Sequence, residues 1–146
     1  MSVEAPHISI VIPVYNEEAI VEQASGELTR GLEDRRWDYE IIFAENGSKD
    51  RTPALLEQLC RKNPRLRWFH NATPNYGSAL KRGILEARGE LVVCDEIDLC
   101  DLVFYAPAVP PLGRREVAMI VGSKAARGAS DRRPLVRRVA TRLHNG

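Results

Sequence analysis

Three times in the first 88 residues a short apolar run ends in a polar corner and gives way to a stretch with helical periodicity. That alternation limits what the chain can fold into. Residues His7 to Val14, HISIVIPV, are a β-branched run that reads as a well-buried strand. After it Asn16 reads as a helix N-cap, Glu17 and Glu18 sit in the first turn where negative charge suits the helix dipole, and Ile20, Ala24, Leu28 and Leu32 recur at helical spacing. The plan repeats with a strand at residues 39 to 44, turn chemistry in ENGSKD at 45 to 50, Thr52 as N-cap with Pro53 at the first helical position, and Leu55, Leu56 and Leu59 as the buried stripe. A third strand is expected at Leu66 to His70, and a third helix at Tyr76 to Arg88, with Ala79, Leu80, Ile84 and Ala87 on one side and Gly89 as its C-cap. Leu91 to Cys94, uninterrupted and apolar, has the signature of a strand buried on both faces.

The later third of the chain is punctuated differently. Pro107, Pro110, Pro111 and Gly113 predict an irregular connection, residues 117 to 123 a fifth strand, and Pro134 to His144 a helix with Arg138 and Arg142 on one face and Arg137 on its flank. Strands alternating with helices at this spacing imply crossovers and an α/β domain with a mostly parallel central sheet covered by helices. Ligands in such sheets bind at the carboxyl ends of the strands, so three polar turns should meet there: Pro13 to Glu17, Glu45 to Asp50, and Asp95 to Asp101.

The last of these turns carries the densest charge. GELVVCDEIDLCD, residues 89 to 101, opens from its strand into Asp95, Glu96, Asp98 and Asp101. In an extended chain alternate side chains share a face, which would place Glu96 and Asp98 on one side with Cα atoms roughly 6.6 Å apart. Two converging carboxylates at a strand's end suit a hard divalent cation that keeps several waters and bridges to phosphate oxygens. The plainer alternative is a polar loop in which Asp98 or Asp101 caps a following helix.

Charge and composition narrow the partners. With 146 residues, 44% of them hydrophobic, a single domain over residues 1 to 146 is expected. The net charge of +1 hides a polarity: residues 1 to 112 hold 12 basic against 18 acidic side chains, and residues 113 to 146 hold 9 against 2. A basic block of this kind suits phosphate or an anionic membrane surface. Nucleic acid is not expected as a partner, because the block lacks interleaved aromatics and the rest of the chain is acidic. Without an apolar run of 18 residues or a charged-then-apolar leader, neither a spanning helix nor a secretory signal is indicated, and a cytoplasmic protein is expected. Cys60, Cys94 and Cys100 are too few and too scattered for a disulfide framework or a thiolate zinc site, and read as reduced thiols. A homodimer is the candidate assembly.

PVYNEE after the first strand, ENGSKDRT after the second, NYGSALKRGILEARGE before the fourth and DEIDLCD at its end together resemble the nucleotide-sugar-binding part of family-2 glycosyltransferases. MIVGSK at 119 to 124 and PLVRRVATRLHN at 134 to 145 are similar to the dolichyl- or polyprenyl-phosphate mannose synthase branch. The resemblance implies a three-layer, Rossmann-like GT-A domain. It divides the chain into a nucleotide-binding part, 1 to 101, and a basic acceptor-side segment, 102 to 146, that would continue in a longer protein.

Carried over residue by residue, the resemblance implies that Pro13, Tyr15, Glu17, Glu45, Asn46 and Ser48 line the nucleotide pocket. Glu96 and Asp98 stand at the ends of the family's Asp-x-Asp metal motif and would hold Mg²⁺ or Mn²⁺ as the catalytic centre. Lys124, Arg137, Arg138 and Arg142 would bind an acceptor phosphate. The sequence departs from the family pattern in four places: Glu45 with Asn46 replaces paired aspartates, Glu96 an aspartate, Cys100 a common glutamine, and Lys124 a frequent arginine. The implied reaction moves a sugar, with inversion, from a nucleoside-diphosphate sugar (GDP-mannose or a UDP-sugar) to a polyprenyl-phosphate lipid. The protein would then make peripheral contact with the inner face of the cell membrane. The alternative is a catalytically degenerate or truncated nucleotide-binding module without transferase activity.

Overall fold

The computed structural model of the protein describes residues 7–100 and 102–122. Its elements follow the order β1 (Ile8–Val14), α1 (Val21–Asp34), β2 (Tyr39–Glu45), α2 (Thr52–Lys62), β3 (Leu66–His70), α3 (Tyr76–Glu86), β4 (Leu91–Cys94) and α4 (Leu102–Gly113). The strands form one sheet in the order β3-β2-β1-β4, and every neighbouring pair is parallel. This is the α/β class that the alternation predicts.

Period-two side chains sort the core into two layers. Ile8, Ile10, Ile12 and Val14 of β1 join Tyr39, Ile41 and Phe43 of β2 in a cluster with Val21, Leu28 and Leu32 of α1 and Leu56 of α2. The other side of the sheet packs Val11, Ile42, Ala44 and Phe69 against Ala79 of α3. Helices therefore cover both faces, giving three layers. Ile10 and Ile12 are fully enclosed, each removing a side chain from water at a gain of about 2 kcal/mol. On the second face α3 approaches closely because Gly83 has no Cβ; one placed there would lie 2.4 Å from Val11 Cγ1.

The register fixes where the loops emerge. Val14, Glu45 and His70 lie side by side, so β1, β2 and β3 end at one level. Cys94 pairs with Val11, so β4 ends three residues lower on β1 and its polar continuation rises beside the tip of that strand.

Several local expectations are corrected. Leu91–Cys94 is not buried on both faces: among the described residues it pairs with β1 alone, and it alternates between half-buried and exposed. Residues 102 to 113 form a helix rather than an irregular connection, with Pro107, Pro110 and Pro111 inside it. Tyr105, Ala108 and Val109 bury one side of that helix, and this packing outweighs the poor propensity of proline. Residues 117 to 122 form no strand. Gly89 does not cap α3, which ends at Glu86; its bare backbone instead lets the chain pass β1, where a Cβ would meet Ser9 N at 2.6 Å. The expected helix at 134 to 144 lies outside the described residues.

One buried polar network locks β4 in place. Glu40 is 5% exposed and projects from β2 on the α3 side. Its Oε1 accepts Ser9 Oγ at 2.7 Å and the Arg88 amide at 2.8 Å, and its Oε2 accepts Arg67 Nε at 2.9 Å. Gly89 N donates in turn to Ser9 Oγ at 2.8 Å, so the entry to β4 is tied to both central strands. Burial pushes the Glu40 carboxyl up, but the hydrogen bonds from Arg67, Ser9 and Arg88 outweigh burial and hold it below the ordinary 4.5. A carboxyl lowered by folding stabilises the native state above its unfolded pKa, and the contribution drains away as pH falls through the folded value. Glu40→Gln is expected to cost about 2 kcal/mol in urea unfolding at pH 7 and progressively less as pH falls below the ordinary 4.5, where the unfolded carboxyl takes up its proton, and on through the lower folded value, where the native one does. A loss that stays constant down to pH 3 would contradict this account.

Candidate functional site

The corner after β1 and the corner after β2 are sewn together by reciprocal hydrogen bonds. Asn16 N donates to Ser48 Oγ at 2.8 Å, and Lys49 N donates back to Asn16 Oδ1 at 2.8 Å. Glu17 N donates to Thr52 Oγ1 at 2.9 Å, and Glu18 N to Asp50 Oδ2 at 3.1 Å. The Glu18 carboxylate then accepts both Arg51 N and Arg51 Nε at 3.1 Å. Asn16 is therefore not the N-cap of α1, which begins at Val21; it occupies the left-handed region at φ 53°, where asparagine is tolerated. Thr52 is likewise the first residue of α2 rather than its cap, and its amide is satisfied by Asp50 Oδ1 at 2.9 Å.

The corner after β3 joins the same structure. Asn71 N donates to Glu45 O at 2.8 Å, and Asn46 Oδ1 accepts the Asn75 amide at 2.7 Å. Asn75 caps α3 by accepting Ser78 N at 2.9 Å. Gly47 stands at φ 78°, where any Cβ would press on Pro74 and Asn71 O. Glu45 has no exposed surface: Oε1 accepts Ser48 N at 2.5 Å, and Oε2 lies 2.5 Å from His70 Nδ1. Its two oxygens are thus committed within the protein. Tyr15, by contrast, presents 43% of its surface to solvent.

The acidic turn forms the neighbouring lip. Asp95 N donates to Val11 O at 3.1 Å, and the Asp95 carboxylate accepts Glu96 N and the Tyr105 hydroxyl. The chain then bends: Glu96 O accepts Leu99 N at 3.0 Å and Cys100 N at 3.2 Å. The alternation expected of an extended segment fails here, because Ile97 turns into the core at 4% exposure and pulls the chain round. Glu96 and Asp98 flank that anchor, and both are exposed. Asp98 forms no hydrogen bond or ion pair with another described residue.

The lip is a strongly negative place, and its neighbours register the field. Burial, then Asp95, Asp98 and Glu27, push the Cys100 thiol up to about 12. Burial, then Glu96, Cys94 and Asp95, raise the Tyr76 phenol at the start of α3. A cleft of about 400 Å³ opens between the first turns of α1 and this bend, lined by Ile20, Gln23, Glu27, Ile97, Asp98 and Cys100. It takes in Asp98 but not Tyr15, Asn46 or Ser48, so it forms one flank of the lip and not the space between the sewn corners.

The described residues thus bring Pro13, Tyr15, Glu17, Glu45, Asn46 and Ser48 to one edge of the sheet, with Glu96 and Asp98 beside them. Lys124, Arg137, Arg138 and Arg142 lie outside the described residues. Sequence reasoning assigned no part to His70, Asn75 or Tyr105. For His70 a signal was available: once strands 39 to 45 and 66 to 70 are set in parallel with their ends level, it falls opposite Glu45.

The fold is that of an α/β domain with its polar corners and acidic lip at one edge of a parallel sheet, and comparison with known proteins gives its family. The model for glycosyl transferase family 2 matches residues 9–138, and the chain belongs to that family. It is 30% identical to the glycosyltransferase AglD of Haloferax volcanii over 143 residues, 95% of this chain and 23% of that protein. It is 27% identical to the dolichyl-phosphate beta-glucosyltransferase ALG5A of Trichomonas vaginalis, over 94% of this chain and 46% of that one. Among solved structures, the mannosyltransferase PcManGT of Pyrobaculum calidifontis, in complex with GDP-Man and Mn²⁺, superposes with a TM-score of 0.54 at 22% identity, covering 66% of this chain and 28% of that one. The GT-A fold expected from the motifs is thereby met. The chain spans less than half the length of these relatives.

Two measurements follow from the site's geometry. Asn16→Gly keeps the left-handed backbone and loses the side-chain bond, at about 1 kcal/mol, whereas Asn16→Ala also incurs the steric cost, for about 2 kcal/mol in all. Equal stability of both variants and the native chain in urea would show that the sewn corners carry no energy. A thiol at about 12 is almost wholly protonated at pH 8, so alkylation followed by peptide mass analysis should leave Cys100 unmodified until the chain unfolds. Labelling of Cys100 in the native protein at that pH would contradict the burial and the neighbouring carboxylates that together raise the thiol.

Proposed function

We propose that this chain carries the donor-binding part of an inverting glycosyltransferase that moves a sugar from a nucleoside-diphosphate sugar, GDP-mannose or a UDP-sugar, to a polyprenyl phosphate. The observation that carries the reading is Asp98: an exposed carboxylate without a partner among the described residues, on a negative lip at the carboxyl edge of a parallel sheet, beside three interlocked corners. Family membership supports the reaction class, and the named substrates of ALG5A and PcManGT support a lipid phosphate and a nucleotide sugar as its two partners.

The residues present suit a hard divalent cation. Glu96 and Asp98 offer exposed carboxylate oxygens, with Asp95 beside them. The described residues contain no group of three or more His, Cys, Asp or Glu able to hold an ion by themselves. An incomplete protein shell is what Mg²⁺ or Mn²⁺ needs when phosphate oxygens and water complete its coordination. Glutamate at 96 reaches about 1.5 Å further than aspartate and places its oxygens accordingly. When bound, the cation would supply Lewis-acid neutralisation of the charge that gathers on the departing diphosphate.

The chain's own groups would do the remaining work. Pro13, Tyr15, Glu17, Asn46 and Ser48 line the nucleotide side, and Glu45 acts from beneath by holding the Ser48 amide. A polyprenyl phosphate is already anionic, so no side chain need deprotonate the acceptor. Lys124, Arg137, Arg138 and Arg142 would meet that phosphate, which assigns residues 1 to 101 to the donor and 102 to 146 to the acceptor, at the inner face of a membrane. No helix among the described residues is long and apolar enough to cross a membrane.

A second reading is a nucleotide-binding module without turnover. The internal commitment of both Glu45 oxygens favours it. Sugar transfer or hydrolysis assayed with Mn²⁺ on the native chain and on Asp98→Ala separates the two. The transferase reading expects activity in the native chain and a loss of 100-fold or more in the variant, on the order of 3 kcal/mol of transition-state stabilisation. Equal turnover in both would remove Asp98 from the reaction. Calorimetric binding of GDP or UDP with no turnover in either would favour the module.

A further inference from the structure

A carboxylate with no exposed surface needs donors, and among the described residues Glu45 meets two partners: the Ser48 amide on Oε1 and the His70 imidazole on Oε2. With Glu45 ionised, Nδ1 must carry the proton in that contact, since a carboxylate can only accept. His70 is itself half exposed, at 51% of its side chain, and its backbone is held from the α3 side by Arg82 Nη1 on its carbonyl at 3.2 Å. The imidazole is therefore placed by β3 and α3, while the carboxylate it steadies belongs to β2.

The consequence runs into the corner after β2. Ser48 N is held by Glu45, Ser48 Oγ accepts Asn16 N, and Asn16 Oδ1 accepts Lys49 N, so the line from His70 reaches the corner after β1 in three contacts. Removing the imidazole would leave Oε2 buried and without its donor. The cheapest relief is for the Glu45 side chain to swing toward water, which releases Ser48 and loosens both corners.

We infer that His70 is a positioning residue for the nucleotide loop: its Nδ1–H, acting through Glu45, holds Ser48 where a nucleoside diphosphate is received, without touching it. This rests on the reading that residues 46 to 50 face the nucleotide. His70→Asn is the conservative variant, because the asparagine amide nitrogen is attached at Cγ as Nδ1 is; His70→Ala removes the donor.

The test pairs two measurements on the native chain and both variants, at a temperature where circular dichroism finds each one folded. Hydrogen exchange at the Ser48 amide should accelerate at least tenfold in His70→Ala and stay within a few-fold of native in His70→Asn. Titration calorimetry with GDP and with UDP, each with Mn²⁺, should give a Kd about tenfold weaker in His70→Ala and near native in His70→Asn, the scale of one lost hydrogen bond to a charged group. Unchanged Ser48 exchange in His70→Ala overturns the inference whatever the nucleotide result. Altered exchange with unchanged Kd leaves His70 a purely structural residue and overturns its positioning role. If the native chain binds neither nucleotide while Ser48 exchange responds as stated, the donor-binding reading fails, the positioning role fails with it, and the link through Glu45 stands.

Discussion

Parallel pairing on both sides of β1 is the constraint on which everything else in this chain depends. Residues 8 to 14 meet β2 along their whole length and β4 along the first four, so each strand delivers its following loop to the same edge. A parallel arrangement needs crossovers, crossovers need helices, and helices need apolar stripes on both faces of the sheet. The two clusters of buried side chains meet that need, and the polar corners are what the arrangement leaves over at its open end.

The chain uses its acidic groups in two different ways. Glu40 near the amino ends of the strands and Glu45 at their carboxyl ends are buried carboxylates surrounded by donors, and they fix backbone: one ties in the entry to β4, the other the corner after β2. On the lip, Glu96 and Asp98 stand exposed, beside a Cys100 thiol that burial first, and then Asp95, Asp98 and Glu27, push up to about 12. Buried and satisfied carboxylates build a scaffold; exposed and crowded ones invite a cation. The contrast separates the residues that hold the site from those that would meet a ligand.

Much of this was legible in the sequence. The β-branched run at 8 to 14, the leucine stripes at 28 and 32 and at 55, 56 and 59, and the glycine and asparagine corners announce the α/β alternation, because burial and backbone sterics act locally. The motifs placed the corners at one edge for the same reason. What escaped depends on neighbours distant in the chain. β4 reads as doubly buried by composition, yet burial depends on what lies beyond its outer edge. α4 forms across three prolines because Tyr105, Ala108 and Val109 find the core, which no propensity scale contains. Asn16 looks like a cap, but a reciprocal bond to Lys49 holds it in the left-handed region. The bend at Glu96 to Cys100 follows from Ile97 reaching the core, and so the face-sharing deduced from an extended chain does not apply.

The central claim is that one cation and one diphosphate meet at the junction of the acidic lip and the sewn corners. Paramagnetic broadening of amide signals by substoichiometric Mn²⁺, in the presence of GDP or UDP, tests it most directly. The account predicts selective loss of the signals of residues 95 to 99, together with those of 46 to 49, and recovery of both groups when Asp98 is replaced by alanine. Broadening that is centred elsewhere, or that persists unchanged in Asp98→Ala, would contradict it.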